Sequence, residues 1–122
     1  MLFRSEYRSD GLIVATPTGS TAYAMSAGGP LISPGLNCII VTPICSFDSA
    51  ARSLVFSDES AISVNMHTLI DREAFLTVDG HESLQLMSND IIKIVKSEYY
   101  TKLIQLKKLS FYDVLRQKLY GS

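Results

Sequence analysis

The sequence has 122 residues, 47% of them hydrophobic and 19% charged, which is the length and composition of one globular domain with its own core. Eleven basic and twelve acidic residues leave a net charge of −1, which argues against nucleic acid or an anionic membrane as a partner. No stretch resembles a signal peptide or reaches the roughly 18 apolar residues of a membrane span, so we expect a cytoplasmic protein. Any anion must then be bound locally, by backbone amides and hydroxyl groups.

Short β-type runs follow one another along most of the chain. Residues 12–15 form a brief apolar run, and residues 37–42 are apolar throughout, as in a strand covered on both faces. Residues 61–69 alternate between apolar and polar side chains, as a half-buried strand does. Residues 74–78 and 81–86 flank Asp79-Gly80, a strong hairpin signal because Gly accepts a positive φ.

Two further runs, residues 90–96 and 101–106, bring the predicted total to about seven strands. Helical signals are confined to two segments. Ser110 and Gly121 bound the first at a predicted N-cap and C-terminus, and an apolar stripe lies between them. The second is a short helix of small residues that begins at Ser20 or Thr21 and ends at residue 27. We therefore expect a mainly β domain with a short internal helix and a C-terminal helix.

The segment 10–30 is the most informative for function. A strand ends, a turn rich in hydroxyls and glycines follows, and a helix begins, so that unpaired N–H groups and the positive end of the helix dipole would face an anion such as phosphate. Thr18, Ser20 and Thr21 would add hydroxyl donors, and Tyr23 could stack on a nucleotide. A well-capped helix packed close to a strand needs the same residues, so the pattern alone leaves both interpretations open.

Other candidate residues carry weaker signals. An ionised Asp10 would accept hydrogen bonds from ribose hydroxyls, and His81 could face a ligand, although a solvated turn histidine is the commoner case. Cys38 and Cys45 fit neither a zinc pattern nor a redox motif, and we expect apolar packing roles. We find no Ser-His-Asp constellation, no cluster of metal ligands and no catalytic base in the sequence.

The same segment resembles the C-terminal domain of the NAD kinases, and the resemblance extends over essentially the whole chain. It is carried by Asp10-Gly11, Thr16-Pro17-Thr18-Gly19-Ser20-Thr21-Ala22-Tyr23 and Ser26-Ala27-Gly28-Gly29-Pro30, with further matches at 42–45, 51–55, 76–80 and 111–119. The resemblance implies one domain over residues 1–122, a multi-stranded β-sandwich-like NAD-binding domain. It also implies a dimer or tetramer with the NAD site near a subunit boundary.

The reaction that the resemblance implies is phosphoryl transfer from ATP, or from polyphosphate, to the 2′-hydroxyl of the adenosine ribose of NAD. The product is NADP, and a divalent cation such as Mg²⁺ accompanies the donor. Carried over position by position, the NAD-binding residues are Arg8, Asp10, Thr18, Thr21, Ala22, Tyr23, Ala24, Met25, Ser26 and His81.

The family's G-G-D-G-T motif, whose Asp accepts the proton, and its later Asn-Glu pair are absent from these 122 residues. We therefore expect an N-terminal α/β domain to carry them, no catalytic residue or metal ligand in this chain, and no activity of the chain alone. Two alternatives stay open. One is a non-enzymatic nucleotide-binding or regulatory module, and the other is the C-terminal domain of a related diacylglycerol-type lipid kinase.

Overall fold

A computed structural model describes residues 3–66, 72–104 and 106–121 of the chain. Within these ranges, seven strands and two α-helices are accompanied by a short 3₁₀ helix. In chain order they are β1 (Gly11–Ala15), the 3₁₀ helix (Thr18–Thr21), α1 (Tyr23–Ser26), β2 (Cys38–Ile44), β3 (Leu54–Ser57), β4 (Ile62–Asn65), β5 (Ala74–Val78), β6 (Glu82–Leu86), β7 (Ile91–Ile94) and α2 (Phe111–Tyr120). The prediction of a mainly β domain with a short internal helix and a C-terminal helix is confirmed.

The chain divides into two compact units, residues 1–59 with 97–122 and residues 60–96. The first unit contains a three-stranded antiparallel sheet in the order β1-β2-β3, in which Gly11 lies opposite Ile44 and Cys38 opposite Ser57. Because β2 has a partner on each side and is buried from residue 39 to residue 43, it forms the centre of this unit's core, as the uniformly apolar run predicted.

Strand β3 was not among the predicted strands. Only three apolar residues, Leu54, Val55 and Phe56, precede the turn that follows, which is a weak signal in isolation. The segment is extended because it pairs with β2, where Val55 lies opposite Ile40. The extended conformation of β3 thus depends on its pairing with β2, which the local sequence pattern does not reveal.

The described part of the second unit contains two two-stranded antiparallel ladders, β4–β7 and β5–β6. The predicted hairpin at Asp79-Gly80 is confirmed: both residues have positive φ, 50° and 72°, and Val78 lies opposite Glu82. In β4 the predicted alternation is also confirmed, with Ile62 half-buried and Ser63 exposed. Strand β4 ends at Asn65, and the predicted continuation over 67–69 lies outside the described residues.

The prediction of a strand over residues 101–106 is wrong for residues 101–104, which form no regular element. Leu103 is 80% exposed and Ile104 is 88% exposed. A strand needs a neighbour to bond its N–H and C=O groups, and none of the ladders in the described ranges includes this segment. The apolar side chains of this segment therefore do not indicate a strand.

Helix α2 begins and ends where the sequence predicted. The Ser110 hydroxyl accepts the Asp113 N–H at 3.1 Å, and a carboxylate oxygen of Asp113 accepts the Ser110 N–H at 3.2 Å, which together form a capping box. Gly121 ends the helix with a φ of 70°, a conformation that glycine adopts without steric cost. No helix within the described part of the chain has the length and apolar character to cross a membrane.

Candidate functional site

The segment 16–30 folds as two short helical turns and not as the single helix predicted from Ser20 or Thr21 to residue 27. The 3₁₀ helix and α1 are separated at Ala22, whose φ of −104° and ψ of −130° are not helical. Hydroxyl groups bond to nearby backbone oxygens here, as that of Thr21 does to the Thr18 carbonyl at 3.3 Å, and such bonds compete with a regular helix. Because α1 has only four residues, it adds little dipole, so the anion site would depend on hydroxyls and individual amides.

Ser20 is a structural residue of this turn. Its side chain is fully buried, its hydroxyl donates to the Pro17 carbonyl at 2.6 Å, and it accepts the Ile32 N–H at 3.1 Å. With both partners inside the protein, the hydroxyl is not available to a ligand. The prediction of Ser20 as a hydroxyl donor for phosphate is therefore wrong.

Gly29 lies where the end of α1 meets strand β2. Its N–H donates to the Ala24 carbonyl at 2.8 Å, and Gly28 before it has a φ of 86°, the backbone geometry of a Schellman-type helix end. A Cβ on Gly29 would lie 2.7 Å from the Thr42 hydroxyl oxygen and 2.8 Å from that carbonyl. Thr42 is itself buried in β2 and shares a hydrogen bond of 3.0 Å with the Ser53 hydroxyl. The turn thus lies directly against β2 with no space for a side chain.

The turn that lies against β2 presents most of the predicted NAD-binding residues at or near its surface. We call them the turn group: Thr18, Thr21, Ala22, Tyr23, Ala24, Met25 and Ser26. Tyr23 is 61% exposed, and Thr18, Ala22 and Ser26 are exposed as well. Ala24 is only 2% exposed, so its methyl group packs inside and any ligand contact is left to its backbone.

Arg8 and Asp10 form a second group at the start of β1, here called the strand-start pair. Both side chains are exposed. The Asp10 N–H donates to the carbonyl of Ile44, the last residue of β2, at 2.9 Å, and the N–H of Phe47, beyond that strand, donates to the Arg8 carbonyl at 2.8 Å. From Asp10 to Ala15, where β1 ends, the extended backbone covers about 17 Å at roughly 3.3 Å per residue. The structure therefore does not bring the strand-start pair to the end of β1 from which the turn group begins.

His81 belongs to the second unit. It is exposed, and its N–H donates to the Val78 carbonyl at 3.0 Å, which closes the hairpin loop between β5 and β6. Its ring is open to solvent on this loop, as a ligand-facing residue or a solvated turn residue would be.

A feature that sequence reasoning missed is a cleft between the turn and α2. The cleft has a volume of about 110 Å³, with Thr18 and Thr21 on one wall and Phe111, Leu115 and Lys118 on the other. No local pattern links the two walls, because they come from opposite ends of the chain. The apolar stripe of α2 was the one available signal that this helix covers another element.

The divalent cation implied by the resemblance finds no ligand set in the described ranges. Hard divalent cations are held by several oxygen ligands at one place. Residues 3–66, 72–104 and 106–121 contain no group of three or more His, Cys, Asp or Glu side chains placed to hold a metal ion. The side chains in these ranges therefore do not fit such an ion.

The fold is that of a mainly β domain that also occurs in solved NAD and NADH kinases. The crystal structure of yeast NADH kinase complexed with NADH matches with a TM-score of 0.75 and 32% identity, over 98% of this chain and 37% of that one. An NAD kinase from Archaeoglobus fulgidus in complex with ATP matches with a TM-score of 0.67 and 41% identity, over 76% of this chain and 34% of that one. The chain belongs to the ATP-NAD kinase C-terminal domain family, whose model matches residues 2–106.

Curated relatives agree with this assignment. The NAD kinase of Syntrophotalea carbinolica is 47% identical over 117 residues, and that of Symbiobacterium thermophilum is 43% identical over 118 residues. These alignments cover 96% and 97% of this chain but only 41% of the length of each relative. The comparisons favour the NAD kinase interpretation over the lipid kinase alternative.

Proposed function

We propose that this chain forms the NAD-binding part of an NAD kinase, which transfers a phosphoryl group from ATP, or from polyphosphate, to the 2′-hydroxyl of the adenosine ribose of NAD and so makes NADP. The observation that carries the proposal is the turn group, in which the side chains of Thr18, Tyr23 and Ser26 are exposed on a turn that lies directly against β2, in a chain of this family.

The turn suits this role because its backbone is fixed while its ligand-facing groups are free. The buried Ser20 and the close approach of Gly29 to Thr42 hold the backbone, which lowers the entropy lost when a ligand binds. Tyr23 offers a ring that can stack on a base, and Ser26 offers a hydroxyl that can donate or accept.

The chemical step needs groups that this chain does not supply. The ribose 2′-oxygen forms a bond to the γ-phosphorus as the bond to the leaving diphosphate breaks, and the hydroxyl proton passes to an acceptor. Positioning and electrostatics supply most of the rate in such transfers. We propose that the proton acceptor, the donor site and the Mg²⁺ ligands belong to an N-terminal α/β domain with the G-G-D-G-T motif. In support, the chain spans 41% of its relatives' length and lacks that motif.

We also propose a dimer or tetramer with the NAD site near a subunit boundary. The separation of the strand-start pair from the end of β1 supports it, because a second copy could bring its own Arg8 and Asp10 to a turn group. Mixing an Asp10→Ala protein with a Tyr23→Ala protein tests this. Shared sites predict that, at an NAD concentration below the raised KM of both variants, mixed oligomers are more active than either variant alone, and no such gain would contradict them. A cytoplasmic location stays a prediction from the sequence.

The proposed function is tested by incubating the natural full-length protein with NAD, ATP and Mg²⁺ and measuring NADP by chromatography and mass. We expect NADP to form, and Asp10→Ala and Tyr23→Ala to raise the KM for NAD more than the KM for ATP. Glu98→Gln, an exposed acidic residue outside the turn group and the strand-start pair, serves as the control.

Two results would contradict the proposal. NAD binding without NADP formation would favour the non-enzymatic nucleotide-binding module. Phosphorylation of a lipid hydroxyl in place of NAD would favour the diacylglycerol-type alternative.

A further inference from the structure

The turn group lies in a long uncharged part of the sequence. Between Asp10 and Asp48 the chain contains no acidic or basic residue. A nucleotide that binds there carries negatively charged phosphate groups, which neutral hydroxyls satisfy only in part, since hydrogen bonds to a charged partner are stronger when the donor is charged as well. A positive charge beside the turn would therefore come from outside residues 11–47.

The structure brings α2 to this position. In the cleft between the turn and α2, Thr18 and Thr21 face a wall built by Phe111, Val114, Leu115 and Lys118. Lys118 is the one charged side chain among the residues that line the cleft within the described part of the chain.

Lys118 is exposed, but it lies on the apolar face of α2. Residues at spacings of three, four and seven share one face of a helix, so Lys118 belongs to the stripe of Phe111, Val114 and Leu115, which are half-buried. An apolar residue would continue this stripe. A lysine can lay its hydrocarbon stem along the apolar wall and keep its ammonium group at the mouth of the cleft.

We propose that Lys118 is a phosphate-binding residue of the nucleotide site, whose ammonium group pairs with phosphate oxygens beside the hydroxyl of Thr18. The inference rests on the proposed function and deepens it. The phosphates could be the diphosphate of NAD or the triphosphate of the donor, and the two sources share the same chemistry.

The test uses three variants of the natural full-length protein. Lys118→Met keeps a long apolar stem and removes the charge, Lys118→Arg keeps the charge, and Arg116→Met removes a charge from another face of the same helix. Lys, Arg and Met have similar helix propensities, so α2 itself is little affected. The KM values for NAD and ATP, kcat and the melting temperature are measured for each, at low and high salt.

We expect Lys118→Met to raise one KM about tenfold, as the loss of a charged hydrogen bond would, with a smaller change in kcat and in melting temperature. The substrate whose KM rises identifies the phosphates that Lys118 contacts. Lys118→Arg should recover most of the loss, Arg116→Met should match the wild type, and the effect should shrink at high salt.

Wild-type KM values for both substrates in Lys118→Met would overturn the inference and leave Lys118 as a helix-terminal cation only. The failure of the proposed function is distinguishable. If the wild-type protein makes no NADP, calorimetric titration of ATP and of NAD into the wild type and into Lys118→Met still tests whether Lys118 binds phosphate. Weaker binding in Lys118→Met would support the residue's role, and equal binding would overturn it.

Discussion

The buried hydroxyl of Ser20 accepts the N–H of Ile32 at 3.1 Å, and so joins the 3₁₀ helix to the segment that leaves the turn. The same hydroxyl donates to the Pro17 carbonyl at 2.6 Å, at the entry to the turn. One small side chain therefore holds both ends of the loop that carries the turn group. Substitutions at Ser20 should therefore change the stability of the turn, whereas substitutions at exposed residues of the turn group should change ligand binding.

Replacing Ser20 by Ala should lower the free energy of unfolding by about 1–3 kcal/mol, because the Ile32 N–H loses its partner in a part-buried position. Chemical denaturation measures this. Ser26→Ala is the matched control, since Ser26 is exposed and should leave unfolding unchanged while weakening NAD binding. Equal unfolding midpoints for Ser20→Ala and the wild type would contradict the structural role.

Gly29→Ala should destabilise the protein by about 1–3 kcal/mol, because the added Cβ meets the Thr42 hydroxyl and the Ala24 carbonyl in a closely packed place. Gly35→Ala is the control: a Cβ there meets nothing within 4 Å, so the change should be neutral or slightly stabilising. Thermal unfolding followed by circular dichroism compares the two. If both variants melt together, the turn does not lie closely against β2.

Tyr23→Ala should raise the KM for NAD about tenfold, in keeping with the loss of one aromatic stacking partner for a base. Since Tyr23 is 61% exposed, the free energy of unfolding of the Tyr23→Ala protein should stay within about 0.5 kcal/mol of the wild-type value. Tyr100→Ala removes a tyrosine that is 81% exposed outside the turn group and should change neither quantity. An unchanged KM in Tyr23→Ala would remove the ring from the site.

Ser110→Ala should destabilise α2 by about 1 kcal/mol through loss of the capping box. Hydrogen exchange of the α2 amides should quicken, while amides of β2 keep their protection. Ser110→Thr retains a capping hydroxyl and should behave nearly as the wild type. Exchange that is equally slow in Ser110→Ala would show that tertiary packing, and not the cap, holds the helix.

The elements that the sequence predicted well are those with local causes. The hairpin depends on the positive φ values at Asp79 and Gly80, and α2 depends on its cap at Ser110 and its end at Gly121. Strand β3 and the strand wrongly predicted over 101–104 depend instead on whether a neighbouring strand is present. A short apolar run has the same sequence pattern whether or not a neighbouring strand pairs with it. Pairing with β2 makes β3 a strand, and residues 101–104 have no such partner among the described strands.

The site shows the same division. The turn group was predicted from the hydroxyls, glycines and Tyr23 of one continuous segment. The residue types did not reveal that the Ser20 hydroxyl points inward, since buried and ligand-facing serines share the same letter. Lys118 came from the other end of the chain, and only the packing of α2 beside the turn connected it with Thr18.

The central claim, that the turn group and the strand-start pair hold NAD, is tested most directly by isothermal titration of NAD into the natural full-length protein and its Asp10→Ala and Tyr23→Ala variants. We predict binding in the wild type that weakens in both variants while their melting temperatures stay unchanged. Absence of heat at millimolar NAD, or equal affinity in all three proteins, would contradict the assignment of these residues to the nucleotide site.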